Sequence, residues 1–172
     1  LEPVSGRGGR FRVTSYDPEK LARTHGPGRH QYLLCREAFE ADVIISLPKL
    51  KLHRKAGLTG ALKNLVGLNG NKDYLPHHRV GGSNGGGDCY PGRSALKRVA
   101  ELLLDAANRR IGTPSYGCWS RWAHRLRGRV ARPEEGELEG SWHGNDTCWR
   151  MVLDLNRALL YGKADGTTAD TP

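Results

Sequence analysis

The most strand-like stretch of the chain is "DVIISLP", where Val43, Ile44, Ile45 and Leu47 stand without polar alternation. Such a run predicts a strand buried on both faces of a sheet, and Pro48 ends it. Upstream, "GRFRVTSY" alternates well enough for a short strand. "DPEKLARTHG" predicts a helix, with Asp17 as N-cap and Pro18 at its first position. "HQYLLCREAFEA" reads as a short amphipathic segment feeding the buried strand. Beyond Pro48, "GLTGALKNLVGLNG" carries Leu58, Ala61, Leu62, Leu65 and Val66 at helical spacing, with Gly67 and Gly70 placed to stop the helix.

The middle of the chain, "NKDYLPHHRVGGSNGGGDCYPGR", lacks apolar periodicity and is rich in glycine. It predicts a long loop, and loops of that length in compact domains are functional or disordered. Two helices follow. "SALKRVAELLLDAANRR" has Ser94 as N-cap and Leu96, Val99, Leu103 and Ala106 on one face. "DTCWRMVLDLNRALLYG" is capped by Asp146 or Thr147, with Cys148, Met151, Val152, Leu155 and Leu159 as its stripe. The intervening "RRIGTPSYGCWSRWAHRLRGRVARP" reads as a solvated basic face or loop. Strand, basic loop and helices in this order predict an α/β fold: a sheet with flanking helices and a long glycine-rich loop, in one domain.

Charge changes the picture most. The chain has 172 residues, 27 Lys plus Arg against 18 Asp plus Glu, and a formal net charge of +9. That excess favours anionic partners: small phosphates or carboxylates, acidic lipid or nucleic acid. Cys35, Cys89, Cys118 and Cys148 form no C-x-x-C pair, so the sequence carries no iron–sulfur or zinc-ribbon motif. The expected setting is reduced and cytoplasmic, with four free thiols. No apolar run reaches the ~20 residues that span a bilayer.

The buried run ends in "PKLKLHRKAG", and this density of cations frames the candidate chemistry. Alternation sends Lys49, Lys51 and His53 to one side and Leu50 and Leu52 to the other, where the leucines would anchor in the core. The carboxyl end of a strand is the usual ligand position of open α/β sheets. Gly57, Thr59 and Gly60 would add backbone N–H groups and a hydroxyl at the next helix start. Lys63, Asn64, Lys72, His77, His78 and Arg79 would complete an anion pocket if the loop folds back, with Lys51 and His53 in catalytic roles. The competing reading leaves Lys51, Arg54 and Lys55 solvated. A divalent metal is a second candidate ligand, since His53, His77, Asp88 and His143 are suitable donors, although no pair has i, i+4 spacing. In "WHGNDTCWR", Asn145 and Asp146 converge on a helix start, where they either serve a substrate, Asp146 catalytically, or only cap the helix.

Three separated motifs, "EADVIISLPKLKLHRKAGLTGALKNLVGLNGNKDYLPHHR", "GGGDCYP" and "SWHGNDTCWRMVLDLNRALLY", together resemble the prokaryotic family called domain of unknown function 362, over roughly residues 40–161. The resemblance implies an α/β fold. It also implies that the chain is an incomplete domain lacking a C-terminal part, an expectation that Leu1 and the polar tail "GKADGTTADTP" share. Cys89 stands where the family pattern leads one to expect an acidic residue. Two function classes follow: an enzyme or enzyme fragment acting on a small anion, or a polyanion or nucleic-acid binder using Trp119, Trp122 and their neighbouring arginines.

Overall fold

The computed structural model describes residues 9–135 and 138–169; Leu1 and the last three residues of the polar tail lie outside them. Among the described residues the architecture is mixed α/β, with six α-helices and three two-stranded antiparallel sheets. Strand β1 (Phe11–Arg12) pairs with β6 (His78–Arg79), β2 (His25–Gly26) with β3 (Arg29–His30), and β4 (Lys51–His53) with β5 (Gly57–Thr59). The helices are α1 (Pro18–Thr24), α2 (Glu37–Glu40), α3 (Ala61–Asn64), α4 (Ala95–Asn108), α5 (Tyr116–Val130) and α6 (Cys148–Tyr161). None is long and apolar enough to cross a membrane.

Helix α1 starts as its sequence dictates: Asp17 accepts from the Glu19 N–H at 2.9 Å and Pro18 occupies the first turn. Helix α6 buries Cys148, Met151, Val152 and Leu155 against Phe11, Val13, Leu21, Leu65 and Leu75 to form the main core, with Leu159 packed at its edge. A second cluster joins Cys89, Tyr90, Ala100 and Leu138; a third joins Leu104, Ala107 and Ala123, where α4 meets α5. All four cysteines are free thiols.

Three expectations are corrected. The run Val43 to Leu47 forms no strand: it has no ladder partner among the described residues, and Val43 and Leu47 are 75% and 85% exposed. Its apolarity is that of a buried strand, but the backbone has no sheet to join. Leu50 and Leu52, expected in the core, are exposed too. Of the two alternatives for the basic stretch 109–133, solvated face or loop, the structure shows the first: it is largely helix α5, with only Ala123 and Arg127 buried. Helix α4 leaves Leu96 and Val99 of its predicted face exposed, at 64% and 47%, packs Leu103 only at the edge of the third cluster, and buries Lys97, Glu101 and Asp105 beside Ala100, Leu104 and Ala107. Each of these charges meets a partner: Lys97 meets Glu135, Glu101 accepts the Gly81 N–H and faces Arg12, and Asp105 binds Arg10 and Arg12. The matched charges outweigh the leucine stripe because an unpaired buried charge is far more costly than an exposed Leu.

Candidate functional site

Three motifs that lie far apart in the chain meet at the start of α6. Asp88 of "GGGDC" is fully buried; its carboxylate accepts from the Arg79 backbone N–H, the Asp146 N–H at 2.9 Å and the Thr147 hydroxyl at 2.6 Å. The Arg79 guanidinium donates to Thr147 Oγ1 at 2.9 Å, stands 3.9 Å from the Asp88 carboxylate and lies over the Phe11 ring. Trp142 donates its indole N–H to the Asp88 carbonyl at 2.8 Å. Asn145 uses both ends of its amide. Its oxygen accepts from the Thr147 and Cys148 N–H groups, and its nitrogen donates to the carbonyls of His77 and Gly140, both at 2.9 Å. Asn145, rather than Asp146 or Thr147, therefore supplies the side-chain cap of α6. Asp146 instead accepts from Arg150 at 2.9 Å. Arg79, Asp88 and Asn145 are thus spent on fixing β6, the glycine loop and α6 relative to one another, and Arg79 is too buried to reach a ligand from solvent.

Beside this knot the hairpin β4–β5 sets Lys51 opposite Thr59, Leu52 opposite Leu58 and His53 opposite Gly57. Lys51, His53 and Thr59 consequently share one face, as alternation requires. The other face carries Leu52 and Leu58, both exposed. Helix α3 is a single turn, too short to present the N-terminal anion site expected after Gly60. The Thr59 hydroxyl oxygen is buried and has no hydrogen-bond partner among the described residues.

Two imidazoles near the hairpin are held in opposite tautomers. His53 Nδ1 receives the N–H groups of Lys55 and Ala56 at 3.3 and 3.1 Å, so its proton sits on Nε2. Burial, then the charges of Lys63, Lys55 and Lys51, lowers its pKa and keeps it neutral. His77 Nδ1 lies 2.7 Å from the Leu75 carbonyl and must donate to it, which leaves Nε2 a bare acceptor. Burial together with Lys55, Lys63 and Lys72 brings its pKa down to about 3. His78 is completely buried and neither ring nitrogen has a hydrogen-bond partner among the described residues; burial, then Lys55 and Arg12, holds it neutral.

Lys55, expected in solvent, points inward: its side chain is 12% exposed and its ammonium lies 3.9 Å from Glu139. Glu139 also faces Arg127 at 3.8 Å. Lys63 is half-buried and has no ion pair among the described residues, and Lys72 is exposed with its ammonium 5.6 Å from the Tyr16 ring centre. The structure therefore brings together His53, Lys55, Lys63, Lys72, His77 and His78. Lys49 is exposed, Asn64 binds Ser46 at 3.2 Å, and His143 is exposed against Trp142. The metal candidates His53, His77, Asp88 and His143 do not meet, and no three His, Cys, Asp or Glu side chains among the described residues converge as a metal site.

The glycine loop borders a different cavity, of about 520 Å³, lined by Arg10, Gly81, Gly82, Gly85, Arg93 and Arg98. Arg10 and Arg98 there are already held by Asp105 and Glu101. The inward turn of Lys55 had no sequence signal, because its partner Glu139 is 84 residues away along the chain. Cys89 occupies no ligand position: its thiol donates to the Leu138 carbonyl, and burial raises its pKa well above the ordinary thiol value.

Comparison with the curated proteins and with the solved structures found no match. The family model described as Domain of unknown function (DUF362) matches residues 7–171, almost the whole length, and the chain belongs to that family.

Proposed function

We propose that the chain binds a small anion at the cluster formed by the β4–β5 hairpin, Lys63, Lys72 and His77. The observation that carries this reading is the convergence of Lys55 and Lys63 on two neutral imidazoles, joined by Lys51 at His53 and Lys72 at His77, with Glu139 paired to Lys55 alone among these lysines. Such an excess of positive charge in a half-buried place is stabilised by a bound anion. His53 offers an Nε2–H donor and the Thr59 hydroxyl an unused group. Lys49 and Lys51 on the exposed approach raise the capture rate. Asp146, tied to Arg150, serves as a positioning group on this reading.

The test is titration with inorganic phosphate followed by calorimetry. Lys63→Met should weaken binding about tenfold or more, the worth of a charged hydrogen bond of roughly 1.5–3 kcal/mol. Lys49→Met should change it less than about threefold, as expected of a surface charge. Equal losses in the two variants would reduce the effect to net charge.

Helix α5 supports a second reading, polyanion binding. It has no acidic residue, exposes Trp122, and sets Arg110 over Trp119 and Arg125 over Trp122. Stacking platforms beside guanidinium groups suit single-stranded nucleic acid. Affinity for a single-stranded oligonucleotide should then fall steeply between 50 and about 200 mM salt, and a flat response would exclude it.

A further inference from the structure

A cavity of about 350 Å³ opens between the β5–α3 segment and α6. Its walls are apolar: Leu58, Leu62, Trp149, Val152 and Leu153 contribute to them, and Lys63 is the single charged residue of the lining. Lys63 is also a member of the basic cluster, acting on His53 and His77. Leu58, Leu62, Trp149 and Leu153 are each left more than a third exposed around it, although they sit beside the main core. Exposed apolar side chains that line a concavity, rather than being scattered, mark a binding surface.

We propose that the anion taken by the basic cluster is amphipathic: a carboxylate or phosphate on Lys63, carrying an aromatic or alkyl body that fills this cavity. The inference rests on the anion-binding reading above and adds the class of ligand. Charge complementarity picks the occupant. A neutral apolar ligand would leave the Lys63 ammonium without a partner as it covered it, at the cost of an unpaired, partly desolvated charge. A bare phosphate would satisfy Lys63 and leave the apolar walls wet. Only a molecule with both parts answers both surfaces, and a few-hundred-Å³ apolar pocket with a single orienting polar group is the usual form of a small-ligand site. Trp149 is fixed for this role, with the Arg150 guanidinium packed 4.2 Å from its ring centre.

The experiment compares 2-naphthoate, acetate, 2-naphthalenemethanol and inorganic phosphate by calorimetry on the intact chain. Naphthoate should bind at least tenfold tighter than acetate. Lys63→Met should weaken naphthoate at least tenfold and leave the uncharged alcohol within twofold. Leu153→Gln, at a wall position already 42% exposed, should weaken naphthoate at least fivefold and leave phosphate within twofold. Phosphate binding with naphthoate no tighter than acetate would overturn this inference alone. Absence of phosphate binding would overturn the basic-cluster reading and this one with it.

Discussion

His25 is 3% exposed, with Nε2 2.9 Å from the Tyr74 carbonyl and Nδ1 3.2 Å from His30 Nδ1. Burial, opposed by the Tyr74 hydrogen bond and aided by His30, brings its pKa down from 6.5 to about 4. The unfolded chain therefore takes up a proton near pH 6.5 that the folded chain refuses until about pH 4. Stability is undiminished above pH 6.5 and is lost as pH falls through that window, at up to ~1.4 kcal/mol per pH unit for this group. Urea unfolding at pH 6.5 and pH 5 should show a loss of up to about 2 kcal/mol from His25. His25→Gln can still donate to the Tyr74 carbonyl and should unfold with a shallower pH slope; an unchanged slope would assign the titration to other groups. Asp88 makes a different residue-scale case. Asp88→Asn turns an acceptor of three hydrogen bonds into a partial donor and removes the buried carboxylate charge 3.9 Å from the Arg79 guanidinium, so a loss of about 3–5 kcal/mol is expected in the same assay.

At the scale of elements, the caps of α4 and α1 were legible: Ser94 accepts from the Lys97 N–H at 3.3 Å, and Asp17 and Pro18 open α1. The cap of α6 was not, since Asn145 takes the place expected of Asp146 or Thr147. The apolar stripe of α6 was legible, since a single face supplies the core. The face of α4 was not, because its orientation is decided by Arg10, Arg12, Glu135 and Gly81, which are distant in sequence. Helix α5 carried a readable signal at Trp119, Ala123, Leu126 and Val130, masked by the surrounding arginines. The glycine loop is packed rather than loose. A Cβ on Gly82 would lie 2.1 Å from the Gly92 carbonyl oxygen, and one on Gly87 2.2 Å from that of Gly81. Gly85 has nothing within 4 Å. Gly82→Ala and Gly87→Ala should each cost several kcal/mol or prevent folding, since backbone must move, whereas Gly85→Ala should stay within about 1 kcal/mol of the parent. Equal thermal midpoints for the three variants would contradict the packed loop.

At the scale of the whole molecule, the candidate site was legible as a composition and not as a geometry. The cations of residues 49–79 were visible, but which of them turn inward depends on Glu139 and on the knot around Asp88, and Lys55 and Lys49 exchange their expected positions accordingly. The same limit governs the run Val43 to Leu47. Its sequence asks for a sheet interior, while the three sheets among the described residues are two-stranded and none includes it. Its side chains therefore contribute little to the folded state, and substitution separates the two descriptions. Ile45, 77% exposed, should accept Lys with a change within about 0.5 kcal/mol in urea unfolding, as surface positions do. Met151, at 0% exposure in the main core, should not: Met151→Lys places an unpaired ammonium among Phe11, Leu21 and Leu155 and should abolish cooperative unfolding. Ile45→Lys should also raise solubility, because a charge in an exposed apolar run opposes association through it. A loss of 3 kcal/mol or more at Ile45, about the cost of burying an unsatisfied charge, would mean that this run packs inside a sheet after all.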